Sequence, residues 1–407
     1  MNLYYKNKEL AEKYGVSRQA VSKWVESVKK GKLHLDMIDV NGQSYICNTP
    51  KNNLQIEGMV QERKKYMNSR SLKTISPKPE FYELFMDEQI ADIITQIRVH
   101  HEIPRQYNYF DAGAQYWDAY ASRLFYDTET HNPYNETEHL LQLSMSYLDK
   151  LLSPYSQINI IDIGPGNALP SKSLVEHLIK QNKMGRYHAI DISPEMLALA
   201  ARNIKEWFGN TVKIETDLRD VNYERFSDLL MSSSSDDGSV NVVLFLGGTL
   251  HNLRSTDEAL RTIYHSMSSP DILICPLKLD NKATRNNFHF MHNVETQQLP
   301  VQHKFLVDLL NIDPSLYDVE MGFNEKIRAR YLQLRLKVAI DLKLQLKDAT
   351  HIIELDKDDT LLVWRYWHQT ALEMMNMFER NGFALLQTNQ TAAHDWMLTI
   401  CDIKPEH

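Results

Sequence analysis

The sequence predicts an α/β protein: an open, doubly wound, mainly parallel sheet, a β-rich subdomain set on it, and a small winged helix-turn-helix domain in front. Three observations point there. Apolar runs alternate with helical patterns from residue 158 to 277. Between 331 and 347 aliphatic residues at every second position alternate with mostly polar ones. Residues 1–80 hold 15 Lys and Arg against eight Asp and Glu, while the rest of the chain carries a balance of −15.

The 407 residues divide naturally into two or three domains. With 43% hydrophobic and 24% charged residues there is material for a large core, which excludes a disordered chain. Cys47, Cys275 and Cys401 are odd in number, far apart and in no metal-ligand spacing. A disulfide framework and a structural metal are therefore not expected, and a reducing, cytoplasmic setting is. No apolar run approaches the roughly 18 residues a membrane helix needs.

The head, residues 1–75, begins with KELAEKYGVSRQAVSKWVESV. Leu10 and Ala11 open an apolar face, Gly15 breaks it, and Ser17 caps a second helix with Ala20, Val21, Trp24, Val25 and Val28 at helical spacing. MIDVNGQSYI then places alternating segments around Asn41-Gly42, the dipeptide that favours a tight hairpin, and the hairpin would form a wing. In a major groove the second helix would turn Ser17, Arg18, Gln19, Ser22 and Lys23 toward DNA, and such heads often work as homodimers on two half-sites. The alternative is a helical docking domain with solvated lysines. Residues 55–70 read as a charged helix, ISPKPE (75–80) as a linker, and 81–150 as mostly helical.

At 158 the run INIIDIG reads as a buried parallel strand. A helix (171–182), strand (187–192), helix, strand (212–216), polar loop (232–239), strand (240–248), helix and strand (271–277) follow. These place the main domain at 81–300 and 365–407. The insert at 301–364 is β-rich: YLQLRLKVAIDLKLQLK reads as one long, half-buried antiparallel strand with which HIIEL and LLVWRYW could pair. A helix (368–381), Gly382 and two strands close the chain.

The chemistry sits in IIDIGPGNALPSKSLVEHL. A strand ending at Asp162, then Gly164 and Gly166, then a helix, lets backbone and helix N-terminus approach a ligand closely. A second strand ends in Asp191, placed to accept both hydroxyls of a ribose, and a third ends near Asp217, suited to an adenine amino group. The dinucleotide fingerprint needs a third glycine, but Leu169 stands there, which favours S-adenosylmethionine over a nicotinamide cofactor.

Beyond these residues, the chain resembles the histidine-specific methyltransferases of the ergothioneine pathway and the related fungal N-methyltransferases over roughly residues 105–402. YFDAGAQYWDAYA (109–121), NPYNETEHLL (132–141), DIGPGNALPSKSLV and FLGGTLHNL (245–253) are each similar to a segment of that family. The resemblance implies a class I methyltransferase Rossmann-like fold and S-adenosylmethionine held by Gly164, Lys172, Asp191, Asp217, Gly247 and Gly248. It also implies that Tyr134 and Asn252 take the amino and carboxylate groups of a substrate.

The departures bear on the substrate. The family holds an imidazole with a Glu and a Ser two residues apart on a late strand; the corresponding LLVWRYW (361–367) offers Trp364, Tyr366 and Trp367. The family's arginine becomes Glu136, and the glycine before Asn252 becomes His251. These changes argue against histidine and for a larger, flatter or cationic amine or amino acid, with Trp364 and Tyr366 as its walls and His251 as a candidate proton acceptor. The expected function is an S-adenosylmethionine-dependent N-methyltransferase with a DNA-binding-like head. The alternative is a DNA-binding regulator whose methyltransferase-like body senses a metabolite. A DNA methyltransferase would present D/N-P-P-Y/F at the fourth strand, where this chain has Leu-Gly-Gly-Thr-Leu-His-Asn.

Overall fold

The structure is a computed structural model that describes residues 3–40, 42–68, 72–127, 132–230, 238–281, 294–296 and 298–404. The head holds β1 (Tyr4–Tyr5), α1 (Asn7–Tyr14), α2 (Arg18–Lys29), β2 (Met37–Val40), β3 (Gln43–Cys47) and α3 (Pro50–Asn68). Gly15 ends α1 with φ +62°, and Ser17 caps α2 by accepting the Ala20 N–H at 3.2 Å. Leu10, Val21, Leu35, Ile46 and Ile56 form the head's core. The three strands pair antiparallel in the order β1-β3-β2, with Val40 opposite Gln43. Asn41 of the expected Asn-Gly turn and residues 232–237 of the expected polar loop lie outside the described residues.

The body's main sheet has seven strands. They are β5 (Gln157–Ile163), β6 (Met184–Asp191), β7 (Lys213–Leu218), β8 (Ser239–Leu244), β9 (Ile272–Lys278), β16 (Phe383–Gln390) and β17 (Trp396–Ile403). Their order is β16-β17-β9-β8-β5-β6-β7. The five strands β5–β9 run parallel, and the closing hairpin of β16 and β17 adds one strand antiparallel to β9. One face is covered by α7 (Pro133–Leu151), α8 (Lys172–Lys180) and α9 (Pro194–Phe208), the other by α11 (Thr256–Ser266) and α13 (Ala371–Arg380). Burial on both faces is why β5, β8 and β9 read as mainly apolar runs, interrupted in β5 by Asn159 and Asp162 and in β8 by Asn241. The order reverses between β5 and β8, so their carboxyl ends open a crevice, the usual place for a ligand in such sheets.

The β-rich layer departs from the expected insert. Residues 331–347 form two strands, β12 (Ala329–Leu336) and β13 (Ile340–Leu346), which belong to different sheets. β12 lies between β11 (Tyr317–Asn324) and β15 (Thr360–Trp367), with β10 (Val294–Thr296) beyond β11. β13 lies between β14 (Ala349–Leu355) and β4 (Lys73–Ile75), which runs parallel to it. The strands therefore reach past 301–364, and Lys73–Ile75 belongs to the body rather than to a head ending at 75. Nor is ISPKPE a free linker. Pro79 opens α4 (Pro79–Leu84), and the Lys78 N–H bonds the Leu309 carbonyl at 2.9 Å, at the end of α12 (Phe305–Leu309). Both α4 and α5 (Asp87–Thr95) pack Phe81, Ile90, Ile93 and Ile94 into this layer's core. A π-helical turn (Gln96–His100) follows α5. Among the described residues no helix is long and apolar enough to cross a membrane.

Candidate active site

A cavity of about 610 Å³ lies where the ends of β5, β6, β7 and β8 meet the N-terminal helices and β15. That volume is in the range of roughly 300–1,000 Å³ typical of small-molecule sites. β5 enters it through Gly164 and Gly166, at φ +61° and +58°, a backbone region that favours glycine. A Cβ on Gly166 would lie 3.5 Å from the Trp117 indole nitrogen, so the space that glycine leaves there is bounded by that ring. The loop is pinned by Asn167, whose amide donates to Asp118 at 2.9 Å. Behind it Asp162 accepts from the Tyr187 hydroxyl, and burial pushes its carboxyl up to about 6.

Asp191 ends β6 and lines the cavity, its carboxylate accepting the Ser193 N–H at 2.9 Å. Burial pushes it up to about 7, although that N–H bond favours the charged form. Beyond β7, Arg219 donates to Asp217 at 3.0 Å and continues to Asp228 at 2.6 Å. The acid that reaches the cavity is Asp220, raised by burial. From β8, Gly247 lines the cavity and α10 (Thr249–Asn252) brings in Asn252. The Asn252 amide donates to the Gly248 carbonyl at 2.9 Å, and its oxygen accepts the Trp364 indole N–H at 2.8 Å.

Above the loops stand Arg105 and Tyr109 of a short 3-10 turn, Trp117 of α6 (Ala112–Tyr126), and Tyr134 of α7, a phenol that burial keeps neutral. The remaining wall holds two tied arginines: Arg254 to Gln96 and His100, and Arg365 to Glu102.

Of the residues the sequence singles out, Gly164, Gly166, Asp191, Gly247, Tyr134, Asn252 and Trp364 come together around this cavity. Five do not line it. Lys172 points away, its ammonium 4.9 Å from the Trp207 ring centre and 3.9 Å from Glu176. Asp217 is taken by Arg219. Gly248 and Tyr366 pack on each other one layer back: a Cβ on Gly248 would stand 3.0 Å from the Tyr366 hydroxyl. His251 is fully buried, edge-on to Tyr366 with ring centres 5.1 Å apart, and neither ring nitrogen has a hydrogen-bond partner among the described residues. Burial drives its imidazole down to about 3, and the ring does not reach the cavity wall, so its weak basicity and its position both speak against the expected proton acceptor. Sequence reasoning did not single out Arg105, Tyr109, Trp117 or Asp220, although Tyr109 and Trp117 lie in the family-like segment YFDAGAQYWDAYA and Asp220 in the acid-rich tail of IETDLRD.

In the head, Ser17, Arg18, Ser22 and Lys23 are exposed. Gln19 instead donates to the Arg98 carbonyl of the body at 2.7 Å.

The family described as "Histidine-specific methyltransferase, SAM-dependent" matches residues 86–403. Comparison with curated proteins finds no match. Among solved structures the chain is similar to an S-adenosylmethionine-dependent methyltransferase of Clostridium acetobutylicum, at 8% identity and TM-score 0.41, covering 72% of this chain and 100% of that one. It is also similar to the magnesium protoporphyrin IX methyltransferase of Synechocystis with bound SAH, at 10% identity and TM-score 0.38, covering 74% and 97%.

Proposed function

We propose that this chain, which belongs to the family of histidine-specific, S-adenosylmethionine-dependent methyltransferases, methylates the nitrogen of an amino acid or related small amine other than histidine. The cavity fits the family's cofactor. Asp191 is set to accept the ribose hydroxyls, Asp220 to meet the adenine amino group, and Gly164, Gly166 and Gly247 to let the ligand lie against backbone. When bound, S-adenosylmethionine supplies an already activated methyl group on its sulfonium.

The protein's own task is to position and dry an amine. Tyr109, Trp117, Tyr134 and Trp364 wall the cavity with rings, and such desolvation lowers an amine's pKa and supplies its free base. The single observation behind the choice of acceptor is Trp364. β15 offers an indole at the cavity, already bonded to Asn252, and no acid to grip an imidazole. A flat or cationic amine suits such a wall.

Transfer of a tritiated methyl group from S-adenosylmethionine into extract of the source cells tests this, with Asp191→Ala as control. Label in the small-molecule fraction, lost in the variant, supports the reading and isolates the acceptor; label in protein or nucleic acid overturns it. A second reading is a DNA-binding regulator that senses a metabolite. It draws on the Gln19–Arg98 bond, which ties the head to the turn that also supplies Gln96 to the cavity. Cofactor binding without label anywhere would select it.

A further inference from the structure

Four arginines line the cavity, and three are already engaged. Arg219 holds Asp217 and Asp228, Arg254 holds Gln96 and His100, and Arg365 holds Glu102. Arg105 is different. Its Nη1 is buried without a hydrogen-bond partner among the described residues, and its guanidinium lies over the Tyr109 and Trp117 rings at 5.5 and 5.6 Å. No aspartate or glutamate among the described residues forms an ion pair with it. The two rings pack edge-on against each other at 5.5 Å, so the guanidinium lies beside the pair, bonded to the Tyr109 phenol. Its leftover buried N–H is costly unless an acceptor completes it, and a carboxylate is the acceptor that suits a guanidinium best.

Its neighbours say where that anion would lie. Trp117 faces Gly166, where only an added Cβ would come within 3.5 Å of its indole nitrogen, and Tyr109 is tied to the end of β6 through its carbonyl, which accepts the Ser193 hydroxyl at 2.5 Å. Arg105 therefore stands over the stretch between the glycine loop and Asp191. Lys172, which the family resemblance assigned to the cofactor, faces Trp207 instead.

We propose that Arg105 is the carboxylate-binding residue of this cavity, receiving the carboxylate of an α-amino acid group. The planar fork matches a carboxylate with two parallel N–H bonds, and the neighbouring rings limit the space in which it can swing. Two groups could bring that carboxylate: the methionyl end of the cofactor, or the acceptor. The proposal rests on the methyltransferase reading of the same cavity, but its cofactor arm does not depend on what the acceptor is.

The test is binding, on the full chain. S-adenosylhomocysteine carries the carboxylate, while 5′-methylthioadenosine is the same nucleoside thioether without the amino acid end. Isothermal titration compares both on the wild type, Arg105→Met and Arg105→Lys. If the cofactor is the source, Arg105→Met weakens S-adenosylhomocysteine by about ten- to a hundredfold, as loss of a charged hydrogen bond should, and leaves methylthioadenosine unchanged. If the acceptor is the source, both nucleosides bind Arg105→Met normally. A thermal shift that one of the common amino acids produces in the S-adenosylhomocysteine complex is then lost in Arg105→Met. Normal binding of both nucleosides together with unaltered, or wholly absent, amino acid shifts overturns the proposal. If Arg105→Met binds neither nucleoside, Arg105→Lys decides: a larger loss for S-adenosylhomocysteine supports the proposal, and equal losses overturn it.

Discussion

Asp191 has a consequence that titration can reach. A protonated carboxyl cannot accept both hydroxyls of a ribose, and burial puts this group near 7, well above the usual carboxylate range of about 4. Cofactor binding should therefore take a proton off Asp191, with the loss of affinity on the acid side. Between pH 8 and 6 the dissociation constant for S-adenosylhomocysteine should rise about tenfold, and Asp191→Asn should bind more weakly with a flat profile; titration calorimetry over that range checks both. Trp364→Phe is a second single-residue prediction. The ring stays while the N–H to Asn252 goes, so nucleoside binding should hold and KM for the labelled acceptor should rise about fivefold, near 1 kcal/mol. Why the sequence located some of these residues and not others is local. Gly164, Gly166 and Asp191 follow strands whose direction the apolar pattern already reveals. Asp220 is three residues past Asp217, and which of the two reaches the cavity depends on Arg219, whose partner Asp228 lies beyond a bend. Arg105 stands in a short 3-10 turn with no period to betray it.

At the scale of elements, the break between β12 and β13 was hidden by parity. Leu332, Leu334 and Leu336 are buried, and so are Ile340, Leu342 and Leu344, all at even positions, so the one irregularity, buried Ala339 beside Ile340, does not shift the phase of the alternation. None of Lys337, Val338 and Ala339 is a turn residue. The turn is imposed from outside: the Leu336 N–H bonds the Asp359 carbonyl and the Lys337 N–H the Leu316 carbonyl. β4 was invisible for another reason, because three residues are too few to show a period and their partner β13 is far along the chain. Its membership of the body is testable. Ile75 is buried among Phe81, Leu342 and their neighbours. Ile75→Ala should cost about 2–4 kcal/mol and lower the urea midpoint of the body's transition. Exposed Ser76→Ala beside it should stay within about 0.5 kcal/mol. Equal, small effects would return residues 73–75 to the head.

For the whole molecule, the charge split was the legible feature and the docking of head on body was not. The basic first 80 residues precede a body with a balance of −15, so a polyanion, if one binds, is favoured on the head's side. On that side α2 exposes Ser17, Arg18, Ser22 and Lys23, as its helical spacing implied. The periodicity could not reveal that Gln19 of the same face bonds the Arg98 carbonyl, or that Lys23 comes close enough to His101 to add to the burial that holds that imidazole below its ordinary value. A head that binds DNA while docked must do so through the outer residues alone. Arg18→Ala with Lys23→Ala should then weaken binding to duplex DNA and make the slope of log affinity against log salt shallower by about 2, one for each phosphate no longer neutralised. Gln19→Ala should leave affinity within about twofold. Fluorescence anisotropy at several salt concentrations reads both. A strong loss in Gln19→Ala would mean that the head leaves Arg98 to bind, and the π-helical turn that also supplies Gln96 to the cavity would be released from the head each time it did. An unchanged slope in the double variant would make the head a protein-docking module.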